Sequence, residues 1–195
     1  MPIEMHADVR GYFRERLVAA MARKRIVTSE STECYLVNLL AKLAITPDDE
    51  PLGRPFAELL AKALDASGHE KLSRLRELGD SALYVCGFFG DHLEHRGIAR
   101  SYVVAMGGRA YLTARSIAPL ARAGELSPIF EELAERFEMF AYVLDDVRES
   151  TAMRTPQDII RLYERWRRTG SSLLAERLEQ EGVYPMSVKG PTTLH

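Results

Sequence analysis

Apolar residues along the chain recur at intervals of three and four, and no sustained two-residue alternation appears, so the pattern predicts helices throughout and no strand. Over residues 7–23, Val9, Phe13, Leu17 and Met21 stand at strict four-residue spacing. A second helix follows the polar cluster Thr28 to Thr32, which offers several capping residues, and carries Tyr35, Leu36, Leu39, Leu40 and Leu43 on its inner face. Three prolines and an acidic run make residues 46–55 a loop. Helix 55–66 then presents Phe56, Leu59, Leu60, Ala63 and Leu64, and Ser67 with Glu70 forms a capping box that opens the next helix.

That next helix, 67–90, changes character part-way along. From Ser81 to Gly90 its only ionisable side chains are Tyr84 and Cys86, and SYVVAMGG in helix 98–118 repeats the pattern. Helices apolar on every side are usually buried on every side, so these two are expected at the centre. Gly79, Ala82, Cys86 and Gly90 share their spacing with Gly107, Ala110, Ala114 and Ala118, giving each helix a face of small residues. A short connection makes the two antiparallel neighbours, with Gly90 expected opposite Gly107, Cys86 opposite Tyr111, and Asp80 paired with Arg115. Ser127-Pro128 starts a helix carrying Phe130, Leu133, Phe137, Phe140 and Leu144; Thr155-Pro156 starts another carrying Ile159, Tyr163 and Trp166. A short last helix, 171–180, stops at Gly182. The expected fold is an all-α, single-domain bundle of seven or eight helices around a central antiparallel hairpin, with residues 1–182 as the domain and 183–195 as an irregular tail.

Composition sharpens the picture by exclusion. At 195 residues the chain can bury about two-thirds of its unfolded surface without metals or disulfides. A net charge of -2 provides no general attraction for nucleic acid. No run approaches the length of a membrane span, and the N-terminus lacks the pattern of a secretory signal, so a cytoplasmic protein without membrane insertion is expected. Cys34 and Cys86 both lie in apolar runs and read as reduced, buried thiols.

No motif assembles a catalytic site. His92 and His95 share a face but lack further ligands for a metal, and His92-Leu93-Glu94 lacks the P-C-x-x-C partner of zinc deaminases. No Glu-x-x-His pair supports a di-iron centre, and no phosphate loop or G-x-S-x-G occurs. Asp145, Asp146 and Glu149 could approach a divalent ion, but read first as the polar end of a helix. No metal or cofactor is expected.

Thr32-Glu33-Cys34-Tyr35-Leu36-Val37-Asn38-Leu39-Leu40, Leu75-Arg76-Glu77-Leu78-Gly79-Asp80, Gly87-Phe88-Phe89 and Met106-Gly107-Gly108-Arg109-Ala110-Tyr111 together resemble a family of bacterial helical proteins of about this length. The resemblance spans most of the chain. It implies a self-contained bacterial helical domain and brings no activity or site residue with it.

Two functional expectations follow from different classes. The first is a non-enzymatic regulatory or adaptor protein that binds a protein partner through a helical surface. Its candidate residues are Arg165, Trp166, Arg168, Tyr184 and Met186, because interfaces favour aromatic, Met and Arg side chains. The alternative is a small-molecule binder or enzyme with an apolar pocket between the central helices, lined by Tyr84, Cys86, Phe88, Tyr102, Met106 and Tyr111. His92 stands at its mouth and could ligate iron if the ligand were a tetrapyrrole. The sequence leaves a homo-oligomer open.

Overall fold

The computed structural model describes residues 2–45, 56–90, 93, 97–150, 156–170 and 172–184. Among these there are nine α-helices and no strand: α1 (Pro2–Arg23), α2 (Glu30–Ile45), α3 (Phe56–Asp65), α4 (Gly68–Phe88), α5 (Arg100–Ile117), α6 (Ser127–Glu135), α7 (Phe137–Glu149), α8 (Pro156–Thr169) and α9 (Ser172–Gln180). A 3-10 turn, Gly124–Leu126, leads into α6. The all-helical bundle expected from periodicity is the fold observed.

The uncharged stretch of α4 sits where its composition demands. Ala82, Leu83, Tyr84, Val85, Cys86, Gly87 and Phe88 are all buried, with α5 on one side of the helix and α3 and α7 on others. Burying each of the larger of these side chains is worth about 1.5–3 kcal/mol, which makes the α4–α5 pair the energetic centre of the bundle. α1 packs on α2 and α7, α2 on α8, and α9 on α8. Described structure extends past α9 to Val183, which is buried, and Tyr184, which is exposed.

The hairpin register differs from the one expected. Gly79 faces the ring of Tyr111, and Gly107 faces Ala82, so the pairing is displaced by about two turns from Gly90–Gly107 and Cys86–Tyr111. The cause is bulk from outside the small-residue stripes. Tyr111 needs the missing Cβ of Gly79, where an added carbon would lie 2.7 Å from its Cε1; Phe137 of α7 fills the space beside Gly107. Gly90, expected against Gly107, is instead close to the Arg100 guanidinium. With the register moved, Arg115 pairs with Glu131 on α6 at 2.9 Å, and the expected Asp80–Arg115 pair gives way to the contacts described below.

Three further expectations are corrected. The helix from Ser127 is broken at Arg136 (φ -115°, ψ 23°), although neither glycine nor proline marks the place. There the guanidinium donates to the Val27 carbonyl at 2.6 Å and to Glu132 Oε1 at 2.8 Å, and the break turns Phe137 toward Gly107. Ser67 occupies the cap position of α4 with extended backbone, but its hydroxyl makes no capping bond, and Glu70 turns to Arg74 at 3.7 Å. Cys34 is exposed: it shares the outer face of α2 with Asn38 and Lys42, one turn apart, while Tyr35, Leu36, Leu39 and Leu40 face inward.

Candidate functional site

Two places in the bundle gather chemistry. The first is a buried carboxylate. Asp80 Oδ1 accepts hydrogen bonds from Tyr35 Oη at 2.6 Å and Tyr111 Oη at 2.8 Å. Arg76, one turn earlier on α4, donates from Nε to Tyr35 Oη at 3.0 Å and approaches Asp80 Oδ2 at 3.7 Å. Its guanidinium also lies over the Tyr35 ring, 4.9 Å from the centroid. Three helices, α2, α4 and α5, therefore meet at one carboxyl group. Burial raises the Asp80 pKa above its ordinary value, against the lowering influence of both phenols and Arg76. The same burial, with Asp80 alongside, pushes both tyrosines far above their usual value and keeps them as donors.

The second place is a groove of about 650 Å³ between α3, α4 and α5. Its floor is Leu75 and Leu78 of α4; Leu60 and Leu64 of α3 form one wall. The other wall is a single face of α5, Tyr102, Ala105, Met106, Arg109, Ala110 and Thr113, running over about three turns. Lys71 completes the lining. Leu64 and Tyr102 stand at the rim with 63% and 53% of their surface exposed, whereas Leu78 on the floor is buried. Lys71 and Arg109 are the charged residues of the lining, and no carboxylate joins them. Arg109 makes no ion pair among the described residues; Lys71 Nζ lies 3.5 Å from the Leu64 carbonyl oxygen.

The six described pocket candidates divide between core and groove. Tyr102 and Met106 line the groove. Tyr84 and Phe88 pack on each other inside the core, with centroids 4.9 Å apart, and Cys86 is buried beside them. Burial pushes the Cys86 thiol up to about 11, with Arg100 opposing and Glu138 adding to the rise, so it stays protonated. Tyr111 belongs to the Asp80 cluster. His92 lies outside the described residues, as does His95. No space for a ligand separates α4 from α5 at Ala82 and Gly107, where backbones approach closely.

The partner candidates are likewise dispersed. Arg165 and Arg168 are exposed on α8, while Trp166 is half-buried against the core, its ring 5.5 Å from that of Tyr163. Tyr184 is 71% exposed and Met186 lies outside the described residues. Asp146 is held by Arg23 at 2.6 Å and Lys24 at 3.6 Å, and Asp145 by Arg148 at 2.8 Å, so neighbouring cations occupy these carboxylates. Among the described residues no three His, Cys, Asp or Glu side chains group in a way that could hold a metal, and no helix is long and apolar enough to cross a membrane.

Sequence reasoning placed Leu60 and Leu64 on an apolar face but did not join them to Leu75, Leu78, Lys71 and Arg109. The available signal was the α5 face itself, whose six lining residues keep helical spacing from Tyr102 to Thr113. Comparisons with protein families, curated proteins and solved structures found no match.

Proposed function

We propose that this chain is a non-enzymatic binding protein of the regulatory or adaptor kind, and that the α3–α4–α5 groove is its recognition surface. The observation that carries this is the groove's lining: leucines on two helices, a three-turn face of a third, and cations without a carboxylate. Its volume falls within the range of about 300–1,000 Å³ usual for preformed ligand sites. The Asp80 cluster supports the same reading from the other side, because its oxygens and phenols bond to one another and serve to join helices. The proposed setting is the cytoplasm, in keeping with two unpaired cysteines.

The test is binding of Nile red, a neutral dye that brightens in apolar surroundings, to the wild-type chain and to Ala105→Trp. Ala105 is exposed on the groove wall, so the indole fills the groove without entering the core. Dye binding by the wild type and its loss in the variant, at unchanged helical content, support the reading. Equal binding by both removes it.

The exposed side of α8 and α9 supports a second reading, recognition of an acidic protein partner. Arg165, Arg167 and Arg168 are exposed there, and Tyr184 is the most exposed aromatic side chain described. On that reading, Arg165→Glu with Arg168→Glu abolishes partner binding while Ala105→Trp leaves it intact.

A further inference from the structure

We infer that the groove takes a long alkyl chain ending in a carboxylate. The inference rests on the groove being the recognition surface and adds what it recognises. Shape comes first. Gly79 is level with Tyr111 across the hairpin. At about 1.5 Å per residue, Lys71 lies about 12 Å to one side of that level and Tyr102 about 13 Å to the other, so the lining follows the hairpin axis for about 25 Å. A volume of about 650 Å³ spread over that length leaves a mean cross-section of only about 26 Å².

Width separates two kinds of occupant. A partner helix is about 10–12 Å across with its side chains, so it would ride on the exposed rim residues Leu64 and Tyr102. An extended alkyl chain is thin enough to fit that cross-section and lie between the two walls, removing its own methylenes from water as it does so.

Charge fixes the end group. The lining holds two cations and no carboxylate, which opposes a cationic head and favours an anionic one. Arg109 is exposed at the wall, makes no ion pair among the described residues, and carries the forked donor set that matches a carboxylate with two parallel hydrogen bonds. Arg109 lies about 3 Å from the Gly79–Tyr111 level, near the middle of the lining, so the carboxylate sits there and the chain runs along the groove from it; Lys71, about 15 Å away along the axis, adds only weak long-range attraction.

The experiment displaces Nile red from the full chain with three twelve-carbon probes, laurate, dodecanol and dodecylammonium, each below its aggregation threshold. Laurate is expected to displace the dye at a concentration about tenfold lower than dodecylammonium, one charge-assisted contact being worth about that factor. Arg109→Gln combined with Lys71→Gln should abolish that advantage and leave dodecanol unchanged, with helical content by circular dichroism confirming an intact fold. Equal displacement by laurate and dodecylammonium overturns the inference, as does an advantage that survives the double substitution. Displacement by an acidic amphipathic helical peptide but by none of the alkyl probes overturns it in favour of a helix. In all three cases, dye binding that remains sensitive to Ala105→Trp leaves the groove as the recognition surface; dye binding insensitive to that substitution removes the surface itself.

Discussion

The ring of Tyr111 rests on the backbone of Gly79 so closely that a Cβ there would come within 2.9 Å of three ring atoms. That contact sets the level of α5 against α4, and the phenol beyond it reaches Asp80 at 2.8 Å. One glycine thus fixes both the register of the hairpin and the position of a hydrogen bond.

Gly79→Ala is therefore expected to destabilise the protein, although alanine favours helix formation. Overpacking of this kind costs about 1–3 kcal/mol, more than the helix-propensity gain of about 1 kcal/mol. Urea unfolding of the variant should show a lower midpoint. A stability equal to or above that of the wild type would mean that the ring moves freely.

The Asp80 cluster gives one prediction for its hydrogen bonds and one for its charge. Tyr35→Phe and Tyr111→Phe each remove a donor from a buried carboxyl oxygen and should cost about 1–3 kcal/mol while leaving the packing unchanged. Asp80→Asn keeps an acceptor for both phenols. Because burial raises the folded-state pKa of Asp80 above its unfolded value, the carboxyl's contribution is fully present below the unfolded pKa and is lost as pH rises through the folded one. The stability of the wild type relative to Asp80→Asn should accordingly decline as pH rises from the unfolded toward the folded pKa. Thermal melts of both proteins across that range check the sign; a difference that grows with pH contradicts it.

Glu132 behaves in the reverse sense. Partial burial works against its ionisation, but the hydroxyls of Thr28, Thr32 and Ser29 and the Ser29 N–H outweigh that and lower its pKa. Thr28 Oγ1 donates to Glu132 Oε1 at 2.6 Å and Ser29 Oγ to Oε2 at 2.9 Å, so α6 supplies a clasp for the start of α2. The contribution is present above the unfolded pKa and lost as pH falls through the folded one. Glu132→Gln should cost about 1 kcal/mol at neutral pH, the scale of a helix cap, and nothing measurable once the wild-type carboxylate is protonated.

The two cysteines are predicted to differ in reactivity. Cys34 is exposed, whereas Cys86 is buried with its thiol pushed up to about 11. A thiol reagent added to the folded protein at neutral pH should modify one cysteine at once and the second only after denaturant is added. Peptide mapping should assign the fast site to Cys34. Fast labelling of both would place Cys86 within reach of solvent.

Helix identity and the burial of α4 were legible because they depend on local periodicity and on charge that stops at Ser81. Register was not. The stripes from Gly79 and from Gly107 keep the same face after a shift of two turns, so small residues alone permit several alignments. The choice was made by Tyr111 and by Phe137, a ring arriving from a helix outside the hairpin. The break at Arg136 was hidden for a related reason: the residue there is held by the Val27 carbonyl, 109 positions away in the chain. Tyr102 and Met106 were placed in a ligand site, but Leu75 and Leu78 could join them only once it was known which helical faces stay uncovered.

The seat of Phe137 carries a consequence for the order of folding. Its ring occupies a slot bounded by Gly107 and Ala82, two residues that come together only when α4 and α5 pair. The slot therefore does not exist on either helix alone. Pairing α4 with α5 closes a short loop, whereas α1 reaches α7 through Arg23 and Asp146 across 123 positions. Short closures precede long ones on entropic grounds, so the hairpin should form in the transition state, α7 should dock into it, and the contact of α1 with α7 should close last. Truncations in the hairpin, such as Leu83→Ala, would then slow folding, while Leu17→Ala on α1 would act mainly by speeding unfolding.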